Sequence, residues 1–155
     1  MVPIRIVAIP TKVAEFVRSS LKAPGYGHPA HREVAAGYGP CRHCLHKFAV
    51  GEESRILFTY DPFFELESVP LPGPIFVHAS DCRRYPEICD YPEQLRDLPA
   101  LLCAYGEARK LMHEIQVTDG TQPTVVNALL KRPEIRYLHV RDLSAGCYDF
   151  RVERA

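Results

Sequence analysis

The chain contains no tryptophan, only two methionines and no excess of either charge, its 19 lysines and arginines being matched by 19 aspartates and glutamates. A neutral chain lacks the basic surplus that meets phosphate, so neither nucleic acid nor a membrane surface is an expected partner. No apolar run approaches the ~18 residues needed to span a bilayer. Met1 to Pro10 carries one basic residue, Arg5, inside an alternating apolar stretch. It has none of the basic n-region, continuous apolar core and small-residue cleavage site of a secretory signal, and the expected location is the cytoplasm. A Walker loop, a Gly-x-Ser-x-Gly elbow, a His-Glu-x-x-His helix and a dinucleotide fingerprint are all missing, which removes support from most large enzyme classes.

What is present suffices for one globular domain over residues 1–155. With 46% hydrophobic residues, a chain of this length buries roughly two-thirds of the surface it exposes when unfolded. Fourteen prolines cut it into short segments and exclude long helices. Six cysteines, at 41, 44, 82, 89, 103 and 147, are too irregularly spaced for a disulfide framework. In a reducing compartment they are metal ligands, small core residues or redox groups.

Period and punctuation give the element order. Residues 4–9 form a β-branched first strand, and Thr11 caps a helix whose stripe is Val13, Phe16, Val17 and Leu21. A Gly/Pro/Tyr-rich loop fills 22–40. Strands are expected at 54–60, with Ile56, Phe58 and Tyr60 on one face, and at 75–79. Pro92 opens a helical turn. Residues 101–105 and 111–117 make a hairpin, which places His113 on the apolar face beside Leu111 and Ile115. A helix follows, with Val125, Val126, Leu129 and Leu130 as its buried stripe. Two last strands, 135–141 and 147–154, are joined by a short loop. Strands outnumber helices and pair locally, so the fold class is α+β with a mainly antiparallel sheet. Tyr26, Tyr38, Phe63 and Phe64 are aromatics expected on exposed loops.

The segments Pro40-Cys41-Arg42-His43-Cys44-Leu45, Gly73-Pro74-Ile75-Phe76-Val77-His78-Ala79, Tyr137-Leu138-His139-Val140-Arg141 and Gly146-Cys147-Tyr148-Asp149-Phe150-Arg151-Val152 together resemble a bacterial family, the domain of unknown function 1203. The resemblance covers almost the whole chain. It implies a small soluble bacterial protein and brings no catalytic or binding residues with it.

Two constellations carry chemistry. In the first, the Cys-x-x-Cys turn Cys41/Cys44 points two thiolates at one tetrahedral metal, and His78 with Cys82, four residues apart at a strand end, completes the shell. His46 and Cys89 are substitutes. Four protein ligands would make a closed, structural zinc site. The plainer alternative is a set of buried thiols, and a Cys41–Cys44 dithiol/disulfide cycle is a third.

The second constellation lies on the last two strands, where alternation separates Leu138 and Val140 from Tyr137, His139 and Arg141. If the loop pairs Arg141 with Cys147, then His139 stands opposite Asp149 and Tyr137 opposite Arg151. That register offers His139, Cys147 and Asp149 as a nucleophilic set, and Tyr137, Arg141 and Arg151 as a receptor for a small anionic ligand. A solvated face with cross-strand ion pairs is the plainer reading. The expected function is a ligand-binding or interaction module with a structural zinc, with a small enzyme or a redox protein as alternatives.

Overall fold

The short apolar stretches fold largely where their periods place them, in a computed structural model that describes residues 1–63, 73–87 and 90–155. In chain order the elements are β1 (Ile4–Val7), α1 (Thr11–Ser20), β2 (His31–Val34), β3 (Ser54–Tyr60), β4 (Gly73–His78), β5 (Ala100–Tyr105), β6 (Leu111–Val117), α2 (Gln122–Leu130), β7 (Tyr137–Asp142) and β8 (Tyr148–Arg154). The class is α+β with antiparallel sheets, as the pattern indicates. No helix among the described residues is long and apolar enough to cross a membrane. Cys89 and Phe64, singled out above, lie outside the described residues. The chain divides into two compact units, Met1–Val7 with Pro86–Ala155, and Ala8–Tyr85.

The first unit holds a five-stranded sheet in the order β1-β8-β7-β5-β6. Alternation buries Ile6, Leu102, Ala104, Leu138, Val140, Phe150 and Val152, each large side chain contributing about 1.5–3 kcal/mol. The helix α2 contacts β5 and β8 and buries Val126, Leu129 and Leu130, while Val125 is only half-buried. Proline near its first position fixes a helical φ where no amide partner is needed. As a sheet edge, β6 covers only part of its apolar side. Leu111 is therefore exposed, and His113 is no core residue but bonds Arg132 Nη1 at 2.7 Å.

The second unit holds a three-stranded sheet, β2-β3-β4, with α1 against β3. The strand β2 lies inside the stretch read above as a loop. Its sequence, His31-Arg32-Glu33-Val34, has no buried position, so hydrophobic alternation carries no signal for it. In α1 the buried stripe is Val13, Ala14 and Val17, and Phe16 and Leu21 are exposed. The N-cap is Pro10 rather than Thr11, and no side chain caps the helix. Tyr26 and Tyr38 are exposed as expected, whereas Phe63 is buried.

Candidate metal centre

The centre grows from the end of β4 in the second unit. Pairing with β3 sets His78 opposite Arg55, and beyond that pair the chain leaves the sheet. The Cys41–Cys44 turn is fastened beside this end by its own backbone. Arg42 N–H donates to the Phe76 carbonyl at 3.0 Å, Cys41 N–H to His46 O at 3.0 Å, and Leu45 N–H to Cys41 O at 2.9 Å. Leu45 takes the left-handed conformation that closes the turn, φ 58°. Just before the turn, Gly39 (φ +89°) has no room for a side chain, since a Cβ would lie 2.4 Å from the Phe48 ring. That ring packs edge-on against His78, centroids 4.7 Å apart.

Four residues past His78, Cys82 folds back over the turn. The Cys41 and Cys82 sulfurs lie 4.0 Å apart, Cys44 Sγ lies 3.3 Å from His78 Nδ1, and all four ligand atoms fall within 4.8 Å of one another. A tetrahedral zinc with Zn–S ~2.3 Å and Zn–N ~2.0–2.1 Å separates sulfurs by about 3.8 Å and sulfur from nitrogen by about 3.5 Å. The observed spacings suit one ion of that kind. The Cys3His cluster is buried except for a half-buried Cys82 and borders a recess of about 290 Å³ that Glu53, His78, Cys82 and Lys47 help to line.

The surroundings distribute charge unevenly over the four side chains. His78 turns Nδ1 to the cluster and Nε2 to Glu53, 2.9 Å away, the carboxylate–imidazole arrangement that fixes a metal-binding tautomer. The neighbouring thiols Cys41, first, and Cys82 push the His78 pKa up to about 10. Hydrogen bonds from Cys41 and Cys44 hold the Cys82 thiol well below its ordinary range, with His43 and His78 adding to the effect. Cys44 is pushed far above that range by its hydrogen bonds to Cys41 and Cys82 and then by burial. The Ala49 amide, ahead of His78, lowers the Glu53 pKa. Such a cluster favours one thiolate strongly, and a cation at its centre is what allows three.

Sequence reasoning singled out the four residues that cluster here and missed their supports. Glu53 had no signal beyond its nearness to β3. His43 lies inside the Cys-x-x-Cys turn, where it places Nδ1 3.1 Å from Cys82 Sγ, and Arg18 reaches the same sulfur from α1 at 3.1 Å. The substitute ligand His46 contributes its backbone to the turn.

The second constellation, in the first unit, is arranged differently from its expected register. His139 pairs with Arg151, Tyr137 with Glu153, and Arg141 with Tyr148. Two one-residue offsets add up to this: Arg141 pairs with Tyr148 rather than Cys147, and the ladder then steps from Arg141–Tyr148 to Val140–Phe150, with Asp149 as the bulged residue. Tyr148 therefore meets the His139 ring, centroids 5.0 Å apart, and Asp149 acts on Tyr91, whose ring packs on Phe150. Cys147 is level with Asp142, to whose N–H its carbonyl bonds at 2.8 Å. Three residues along a strand is about 10 Å, so His139, Cys147 and Asp149 are not brought together. Cys103 is the cysteine directly opposite His139. It went unnoticed because its strand pairs with β7 across a long sequence gap.

Tyr137, Arg141 and Arg151 do share the His139 face. His139 is fully buried, and burial first, then Arg141 and Arg151, lower its pKa to about 3. Arg141 bonds the Gly146 carbonyl at 3.1 Å, and Arg151 Nε lies 3.1 Å from a Glu153 oxygen.

The family described as Protein of unknown function (DUF1203) matches residues 38–154. The match takes in all four cluster residues and the whole of β7 and β8. No curated protein matches the chain, and no solved structure does.

Proposed function

The chain belongs to the DUF1203 family, whose description assigns no activity, and on that premise we propose that it is a zinc-anchored binding or interaction module, with Cys41, Cys44, His78 and Cys82 as the ligands. The observation that carries the reading is the convergence of three sulfurs and one imidazole nitrogen within 4.8 Å, with the other imidazole nitrogen held by Glu53. Four protein ligands fill a tetrahedral shell, so the ion ties the 41–44 turn to the end of β4 and acts in folding rather than catalysis. Thiolate ligands persist in a reducing compartment, which makes the cytoplasm part of the proposal. The binding half of the proposal assigns a small anionic ligand to Tyr137, Arg141 and Arg151, supported by the two guanidinium groups that both oppose charge on His139.

Elemental analysis of untagged protein, with Cys41→Ser and His78→Ala beside the parent, tests the metal. About one zinc per chain in the parent and none in either variant is expected from four-ligand binding. A metal-free parent whose Cys41 and Cys44 appear as a disulfide in mass spectrometry would replace the zinc reading with a redox one.

A further inference from the structure

Three thiolates and one neutral imidazole around a divalent cation carry a net charge of about −1, and a buried net charge is costly unless paired. Arg18, which also stands 3.6 Å from the exposed Asp81 carboxylate, is placed to offset it. Arg18, its side chain 10% exposed, donates from Nη2 to Cys82 Sγ at 3.1 Å and from Nε to the His78 carbonyl at 2.9 Å. A single guanidinium thus holds two of the four ligand residues. His43, nearly fully buried, sets Nδ1 3.1 Å from the same sulfur and Nε2 3.0 Å from Thr11 Oγ1. For a neutral ring beside a thiolate, one arrangement satisfies both contacts: Nδ1–H donates to sulfur and the Thr11 hydroxyl donates to Nε2.

Thr11 and Arg18 are the first-turn and last-turn residues of α1, seven positions apart on one face of the helix. Both lead to Cys82. The helix is poorly equipped to stand without them, since ten residues is marginal in isolation. It has neither a side-chain cap nor an acidic residue in its first turn. The Thr11 hydroxyl, the natural candidate for the local capping role, is committed to His43.

We infer that Arg18 and His43, beside Glu53, are positioning residues of the metal centre and that these two make the seating of α1 depend on metal occupancy. The inference rests on the zinc reading: the ion fixes Cys82, Cys82 fixes both outer groups, and these fix the two ends of α1. The exposed face of α1, with Phe16, would then be presented in one position only when the metal is bound.

Amide hydrogen exchange on the full chain, with and without zinc, tests this together with zinc affinity measured against a chromophoric chelator. In the parent, zinc should slow exchange across 13–20 by tenfold or more. Arg18→Met should weaken zinc binding by about 10–100-fold, the usual loss when an outer-shell partner is removed, and should shrink the protection of α1. Arg18→Lys should recover part of both, because it restores the charge without the fork. Thr11→Val keeps the shape, loosens the first-turn amides more than the last-turn ones, and weakens zinc binding less than Arg18→Met does. Equal α1 exchange with and without zinc, in protein shown to hold one zinc, would overturn the coupling while leaving the metal site intact. A parent with no zinc by elemental analysis would overturn the metal reading and the coupling together.

Discussion

His78 and His139 are both buried strand histidines, on β4 and β7, yet their surroundings drive them in opposite directions. The pKa of His78 is pushed up to about 10 by Cys41, then Cys82, and that of His139 down to about 3 by burial, then by Arg141 and Arg151. The difference is topological. A residue at the last position of a strand meets side chains from a turn, a following loop and a preceding loop, and these can converge on one point. A mid-strand residue meets partners spaced about 4.5–5.5 Å apart on neighbouring strands, with aromatic rings filling between, as Tyr105, Tyr137 and Tyr148 do around His139. Convergence makes a ligand shell, whereas a strand face makes a layer.

The contrast breaks most sharply at the proposed metal centre. Cys44→Ser, or a strong chelator on the parent, should abolish zinc binding and lower the melting temperature, since structural zinc supplies on the order of 10 kcal/mol of apparent folding free energy. His139→Phe should leave zinc content unchanged. Elemental analysis and calorimetry on both variants check the pair. Next in size, Glu53→Gln should cost ten- to a hundredfold in zinc affinity, about 1.4–2.7 kcal/mol, read by chelator competition.

The opposite shift at His139 is sharpened by pH. Its folded pKa lies below the unfolded value of 6.5, so the unfolded chain takes up the proton first. The stabilisation is complete above 6.5 and is lost as pH falls from 6.5 toward about 3, by up to about 1.4 kcal/mol per pH unit. Urea unfolding at pH 7 and 5.5 should therefore show a smaller loss in His139→Phe than in the parent. Cys147→Ser should have the smallest effect, within about 0.5 kcal/mol in urea with full zinc retained, because Cys147 reaches neither centre.

The α+β class and most strands were legible because proline and β-branched periods punctuate the chain. The four cluster residues were legible because ligand spacing is a local property of sequence. Glu53, Arg18 and His43 were not, since contacts across 25, 64 and 39 positions leave no periodic trace. The His139–Asp149 pairing failed for a sharper reason: the turn pairs Arg141 one residue further along than expected, and the bulged Asp149 adds a second residue of offset. The five-residue loop 142–146 reveals neither offset.

The most direct test of the account is zinc K-edge X-ray absorption on the purified full chain. The account requires a first shell of three sulfurs at ~2.3 Å and one imidazole nitrogen at ~2.0–2.1 Å, becoming two sulfurs when Cys82 is replaced by Ser. A shell of oxygen and nitrogen alone, or one unaltered by Cys82→Ser, would contradict it.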